Sequence, residues 1–232
     1  MKREYEKIPR MTLFMRINHW VVVFCMIGAI ATGLYIGHPY YQTLIAEPAA
    51  QKFVMAWNRW VHFIAAIIFD VSSIVIAYLY FFSRFEKPYK KLLPTAKNIK
   101  EFWAVVVNLL TFNRVKNFDS SHEDSFHVVY FTIFHLLLAW MLFTGLQLYV
   151  HGLESGLSSI GSWWPWVLHL ATDWTIAVTG GTLMDVRISH HMTMYFIIVW
   201  IMFHIYYVVW RTIFWQEGDI SIVIGGYKFK RK

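Results

Sequence analysis

The sequence predicts an all-α membrane protein: a four-helix transmembrane bundle with interfacial helices in its two long loops. Three observations carry that prediction. Of the 232 residues, 57% are hydrophobic and 15% charged, whereas a soluble domain carries about a quarter charged residues. Four apolar stretches reach the roughly twenty residues needed to cross a bilayer core. The 21 Lys and Arg fall into blocks instead of spreading over a surface. Residues 1–232 read as a single integral membrane domain, with no internal sequence repeat and no soluble second domain.

The first span runs from about 17 to 36, behind a basic N-terminal stretch. Ala29-Ile30-Ala31 has the look of a signal-peptidase site. The apolar run continues through Leu34-Tyr35-Ile36, so the segment is read as a retained span that ends at His38-Pro39. The second span, 53–82, is long enough to tilt or to project beyond the bilayer. Residues 83–125 form a polar, basic connection. Inside it, IKEFWAVVVNLLTF (99–112) is short and flanked by charge, which predicts an interfacial helix. The third span covers 126–150. The loop after it, 151–184, is rich in Gly, Ser and Trp, and Pro165, His169 and Asp173 interrupt its apolar part. A membrane-surface helix or cap is expected there. The fourth span, 187–215, precedes a basic tail ending Lys-Phe-Lys-Arg-Lys.

Charge placement orients these spans. Five basic residues lie in 2–16, eight in 84–116 and five from Arg211 onward, while Lys52, Arg59 and Arg187 lie apart. With four spans the three large groups face one compartment, so both termini are expected on the cytoplasmic side of a multi-pass inner-membrane protein. The net charge of +7 is then a topology signal and an attraction to anionic lipid. Nucleic-acid binding is not expected.

One cysteine, Cys25, excludes an intrachain disulfide, a CxxCH haem attachment and a cysteine-held iron–sulfur cluster. Eleven histidines remain as strong ligands. His190 and His204 lie fourteen residues apart in the fourth span, roughly 21 Å along a helix and on one face. By chain direction His62 and His190 share the outer depth, and His19 and His204 the inner one. Neutral imidazoles from two facing helices are the axial ligands of a six-coordinate b haem, so two stacked haem sites are expected. A divalent-metal transporter using the same histidines is the competing class; such sites recruit intramembrane carboxylates, and Asp70 is the one strong candidate.

Arg16-Ile17-Asn18-His19-Trp20 with Thr32-Gly33-Leu34-Tyr35-Ile36-Gly37, and Arg59-Trp60-Val61-His62-Phe63, resemble the first two spans of the cytochrome b subunit of membrane-bound nickel–iron hydrogenases. Gly180-Gly181-Thr182-Leu183-Met184-Asp185, leading to His190 and His204, is similar to the same family, as is the tail Asp219-Ile220-Ser221 with Gly226-Tyr227. The resemblance is weakest over residues 83–170. It implies a subunit that anchors the large and small hydrogenase subunits and passes electrons through two b haems to membrane quinone. It also implies His19, His62, His190 and His204 as axial ligands, with no hydrogen-activating site in this chain. The cytochrome b subunit of formate dehydrogenase is the close alternative.

Other residues carry smaller expectations. Gly28, Gly33 and Gly145 would let a porphyrin or a neighbouring helix approach closely. Arg16 and Arg59, one turn before His19 and His62, could pair with haem propionates or act as interfacial anchors. His122, Glu123 and His127, with Asp124, cluster where the third span begins; quinone reduction needs a proton donor of this kind, and a solvated helix start is the plain reading. His135 is expected to pack and hydrogen-bond, and His191 to be an outer polar group. His38, His151 and His169 are expected outside, toward solvent or a partner.

Overall fold

The computed structural model of the chain describes residues 5–39, 48–82, 94–112, 121–153, 161–215 and 218–231. Four long helices match the four expected spans: α1 (Leu13–Gly37), α2 (Pro48–Phe82), α4 (Ser121–Val150) and α7 (Leu183–Trp210). All are long and apolar enough to cross a membrane. Phe24, Ile74 and Met202 are each about two-thirds exposed, at 67%, 68% and 65%; an apolar helix surface left bare in this way is a lipid-facing one. The chain is a multi-pass membrane protein. The stretch 99–112, expected to be an interfacial helix, falls in helix α3 (Ala96–Leu110). The expected surface cap is two short helices, α5 (Trp163–Thr172) and α6 (Trp174–Thr179).

The chain divides into two compact units. The first comprises Met1–Leu92, Val106–Asn117 and Phe203–Lys232, and the second Leu93–Val105 and Phe118–Met202. In the first unit α1 packs on α2, with Gly28 placed so that an added Cβ would meet the Ala65 Cβ at 3.8 Å, an ordinary contact. A feature the sequence did not suggest closes this unit. Strand β1 (Tyr5–Pro9) pairs antiparallel with β2 (Tyr227–Arg231), Tyr5 opposite Arg231 and Pro9 opposite Tyr227. A short helix, α8 (Ile220–Gly225), leads into β2. Its terminal carbonyls, which lack partners within the helix, are taken up by α1: Arg16 Nη1 donates to Ile224 O at 2.5 Å and Trp20 Nε1 to Val223 O at 3.1 Å. Gly226 turns the chain at φ +83°, and any Cβ there would stand 2.6 Å from the Met11 carbonyl oxygen. Only glycine fits.

After α7 the helix widens into a π turn, Arg211–Trp215. Arg211, 1% exposed, sits 2.8 Å from the buried Asp219 carboxylate with its guanidinium over the Tyr207 ring. Removing one member of such a buried pair typically costs about 3–5 kcal/mol, because the other charge is left uncompensated.

In the second unit α4 and α7 are clamped reciprocally. The Tyr130 hydroxyl donates to Trp200 O at 2.7 Å, and Trp200 Nε1 donates to Tyr130 O at 3.2 Å. The Trp200 ring stacks on Tyr130 and Phe134 at 4.4 and 3.8 Å between centroids. Interhelical hydrogen bonds of this kind contribute about 0.6–2 kcal/mol each in a membrane. The Gly180-Gly181-Thr182 run has a local reason too. Gly180 and Gly181 adopt φ +138° and +96°, and Thr182 and Asp185 then cap each other: Asp185 N donates to Thr182 Oγ1 at 3.2 Å, and Thr182 N to Asp185 Oδ2 at 3.1 Å. This capping box fixes where α7 begins and so the register of its histidines.

Candidate functional site

Each long helix that carries a candidate ligand is placed by its own packing, and two of the four histidines are held in one specific way. His62, half-buried on α2, has Nδ1 at 3.0 Å from both Ala29 O and Thr32 Oγ1 of α1. A carbonyl oxygen only accepts, so Nδ1 must carry the proton. The Thr32 hydroxyl hydrogen is already committed to Gly28 O at 2.6 Å, so its oxygen also accepts. His190, half-buried on α7, repeats the arrangement with α4. Its Nδ1 is 2.9 Å from Thr144 Oγ1, whose hydrogen goes to Trp140 O at 2.7 Å. At His62 the carbonyl partner puts the proton on Nδ1, and at His190 the Thr144 hydroxyl, bonded to Trp140 O, presents its oxygen to Nδ1.

The two threonines begin matching short runs, Thr32-Gly33-Leu34 and Thr144-Gly145-Leu146. The shared tripeptide is too short to be an internal sequence repeat, and its interest lies in the two histidine contacts. Gly145 adds a steric element. A Cβ there would lie 3.3 Å from His190 Cε1, so the ring rests directly against the α4 backbone. Next to it, Trp140 Nε1 donates to Ser189 Oγ at 2.9 Å, tying α4 to α7 one residue before His190. His62 and His190 lie in different units, and each is brought together with a threonine of its own unit.

The other two candidates differ. His19, on α1, is half-buried, and its Nδ1 is a buried atom with no hydrogen-bond partner among the described residues. His204 is half-buried on α7, fourteen residues beyond His190. Arg16 is turned to the C-terminal tail through Nη1, while its buried Nε has no hydrogen-bond partner among the described residues. Arg59 is exposed on α2. Gly28 serves the α1–α2 contact, and Gly33 lies within α1. His127 is half-buried at the start of α4, its ring parallel to Phe131 at 5.9 Å. His122 and Glu123 belong to α4, but their side chains lie outside the described residues. His191 meets Tyr195 edge-on at 5.2 Å. Asp70, half-buried on α2, joins no cluster of three ligand side chains among the described residues.

These residues fit a b haem on their own chemistry. Axial coordination asks for a neutral imidazole whose second nitrogen donates its proton to an oxygen, which fixes the ring and raises its basicity. His62 and His190 meet that condition through Thr32 and Thr144. The buried nitrogens His19 Nδ1 and Arg16 Nε have no hydrogen-bond partner among the described residues, and buried polar atoms of this kind call for one.

A family model described as prokaryotic cytochrome b561 matches residues 10–226. The chain is 25% identical over 217 residues to the "Probable Ni/Fe-hydrogenase B-type cytochrome subunit" of Cupriavidus necator, covering 92% of this chain and 83% of that protein. It is 29% identical to the protein of the same name in Bradyrhizobium diazoefficiens, covering 91% and 81%. Against the "Probable Ni/Fe-hydrogenase 1 B-type cytochrome subunit" of Escherichia coli it is 26% identical, covering 92% and 87%.

Proposed function

The chain belongs to the prokaryotic cytochrome b561 family, and from that premise we propose that it is the membrane-anchoring cytochrome subunit of a periplasmic nickel–iron hydrogenase. In this reading it carries electrons through two b haems to membrane quinone. Membership makes haem b its prosthetic group. The observation that supports the rest is the matched contact of His62 and His190 Nδ1 with Thr32 and Thr144, the outer-shell bond that a ligating imidazole uses on its second nitrogen. In this reading His62 and His190 would be the residues that hold one haem, and His19 and His204 those that hold the other. A haem held by these residues would supply the one-electron chemistry. The protein's own part is to fix the rings, exclude water and space the sites.

Around these ligands, the unbonded Arg16 Nε and the exposed Arg59 are the cations for propionates. Gly145 keeps α4 close to His190. His127, with His122 and Glu123 on the same helical turns, is the proton donor for a quinone ring at the start of α4. The basic blocks put both termini in the cytoplasm and the protein in the inner membrane. The names of the similar proteins favour a hydrogenase over a formate dehydrogenase partner. A transporter pathway is disfavoured because Asp70 has no clustered ligands among the described residues.

Two measurements test this. In reduced-minus-oxidised spectra, His62→Ala and His190→Ala should each remove the same half of the b absorption, and His19→Ala and His204→Ala the other half. A chain without haem, or outer variants that remove different haems, overturns the pairing. Copurification should bring down a nickel–iron heterodimer; a molybdenum or tungsten enzyme in its place overturns the partner.

A further inference from the structure

At the C-terminal end of α4 a second set of ligands converges, unused by the site above. His151 follows α4 directly, and His169 and Asp173 lie one turn apart at the end of α5. One ligand atom from each falls within 4.8 Å of the other two. His169 Nδ1 is 2.9 Å from Asp173 Oδ1, and the His151 and His169 rings meet edge-on at 5.0 Å. The cluster faces solvent on one side, with His169 38% and Asp173 56% exposed at the side chain.

Its inner side is built. Gln147, fully buried, donates Nε2 to Asp173 Oδ1 at 3.1 Å. The Gln147 carbonyl oxygen in turn accepts from the hydroxyl of Thr172, also fully buried. The single Thr172 hydroxyl hydrogen is shared between that oxygen and Leu168 O at 2.7 Å. A carboxylate oriented by a buried amide, which is itself locked by a buried hydroxyl, is the outer-shell support that metal ligands use. A solvated ion pair has no need of it.

We propose that His151, His169 and Asp173 form a binding site for a divalent transition ion of the zinc type, separate from the histidines of the spanning helices. Two imidazoles and a carboxylate suit such an ion and not magnesium or calcium, which prefer all-oxygen shells. Zinc bonds of about 2.1 Å put tetrahedral ligand atoms roughly 3.4 Å apart, so side-chain rotation alone closes the site. Water takes the fourth position on the open side. The entering cation replaces the proton shared between His169 and Asp173, which leaves to solvent. The bound ion staples the end of α4 to α5, and Gln147 lies one turn beyond the Thr144 that holds His190.

The test is zinc binding to the purified, haem-loaded complex carrying a tag without histidine, followed by calorimetry and by metal analysis after dialysis. Wild type should bind one zinc ion per chain more than His151→Ala or Asp173→Asn, and excess magnesium should not displace it. Gln147→Leu, which keeps all three ligands, should weaken binding by about 10–100-fold. Haem content reports folding in every variant, and His151 is exposed, so its loss leaves the helices intact. Equal zinc stoichiometry in wild type and His151→Ala, or an additional zinc ion that magnesium displaces, overturns the site and leaves an ion pair beside a second ring.

Discussion

In the first unit Thr32 of α1 holds His62 of α2, and in the second Thr144 of α4 holds His190 of α7. The device is the same: a threonine that gives its hydrogen to the preceding turn and accepts from Nδ1–H, followed by Gly-Leu. The surroundings are not the same. His62 shares its proton between Thr32 and the Ala29 carbonyl, so a backbone oxygen backs up the side chain. His190 is pressed against Gly145, and Ser189, the residue before it, is tied to Trp140. Among the described contacts, one ring meets two acceptor oxygens and the other a hydroxyl and a wall. Two histidines with matched chemistry should therefore respond unequally to matched mutations.

The largest expected difference comes from removing the hydroxyls. Thr144→Val keeps shape and volume while deleting the hydroxyl that faces His190 Nδ1. Loss of such an outer-shell partner lowers metal affinity by about 10–100-fold, and haem retention during detergent washing should fall accordingly. Thr32→Val should lose much less, because Ala29 O still accepts from His62 Nδ1 at 3.0 Å. Equal losses in the two variants would mean that the Ala29 carbonyl gives no independent support, and the contrast would collapse.

A smaller contrast separates the glycines. In Gly145→Ala the new methyl would stand 3.3 Å from His190 Cε1, so the ring must give by a few tenths of an ångström. In Gly28→Ala it meets the Ala65 Cβ at 3.8 Å, normal packing. Low-spin haem signals in electron paramagnetic resonance should shift for Gly145→Ala and stay put for Gly28→Ala. A shift in both would make Gly28 part of a haem pocket as well as of the α1–α2 contact.

How much of this was legible beforehand follows from physical range. The spans and α3 were readable because their signals, length and charge flanks, lie within one segment. The four histidines stood out as polar groups in apolar runs. Thr32 and Thr144 did not, since threonine in a membrane helix ordinarily bonds its own preceding turn, as both also do here. Their second role depends on residues 30 and 46 positions away. The β1–β2 ribbon was hidden for the same reason: the Lys and Arg of its second strand read as a topology signal, and its partner begins at Tyr5. His151 and His169 were expected outside, but their convergence with Asp173 depends on how α5 folds back on α4, which no local pattern encodes.

The smallest effect lies at that α4–α5 corner. The hydrogen bond from His169 is the main cause that holds the Asp173 carboxyl below the usual carboxylate range; burial opposes it, and Gln147 adds a second bond in the same direction. A carboxylate whose folded value is depressed stabilises the fold fully above its unfolded value of about 3.9. That contribution is lost as the pH falls through the lower folded value. With chelator present to keep the corner metal-free, wild type should melt slightly above Asp173→Asn at pH 6, and the gap should close as acid is added below about pH 4. The gap is small because exposed pairs contribute about 0–1 kcal/mol, and Asp173 is more than half exposed. A gap that instead widens in acid would mean that the carboxyl is held protonated, and Gln147 would then orient an acid in place of a carboxylate.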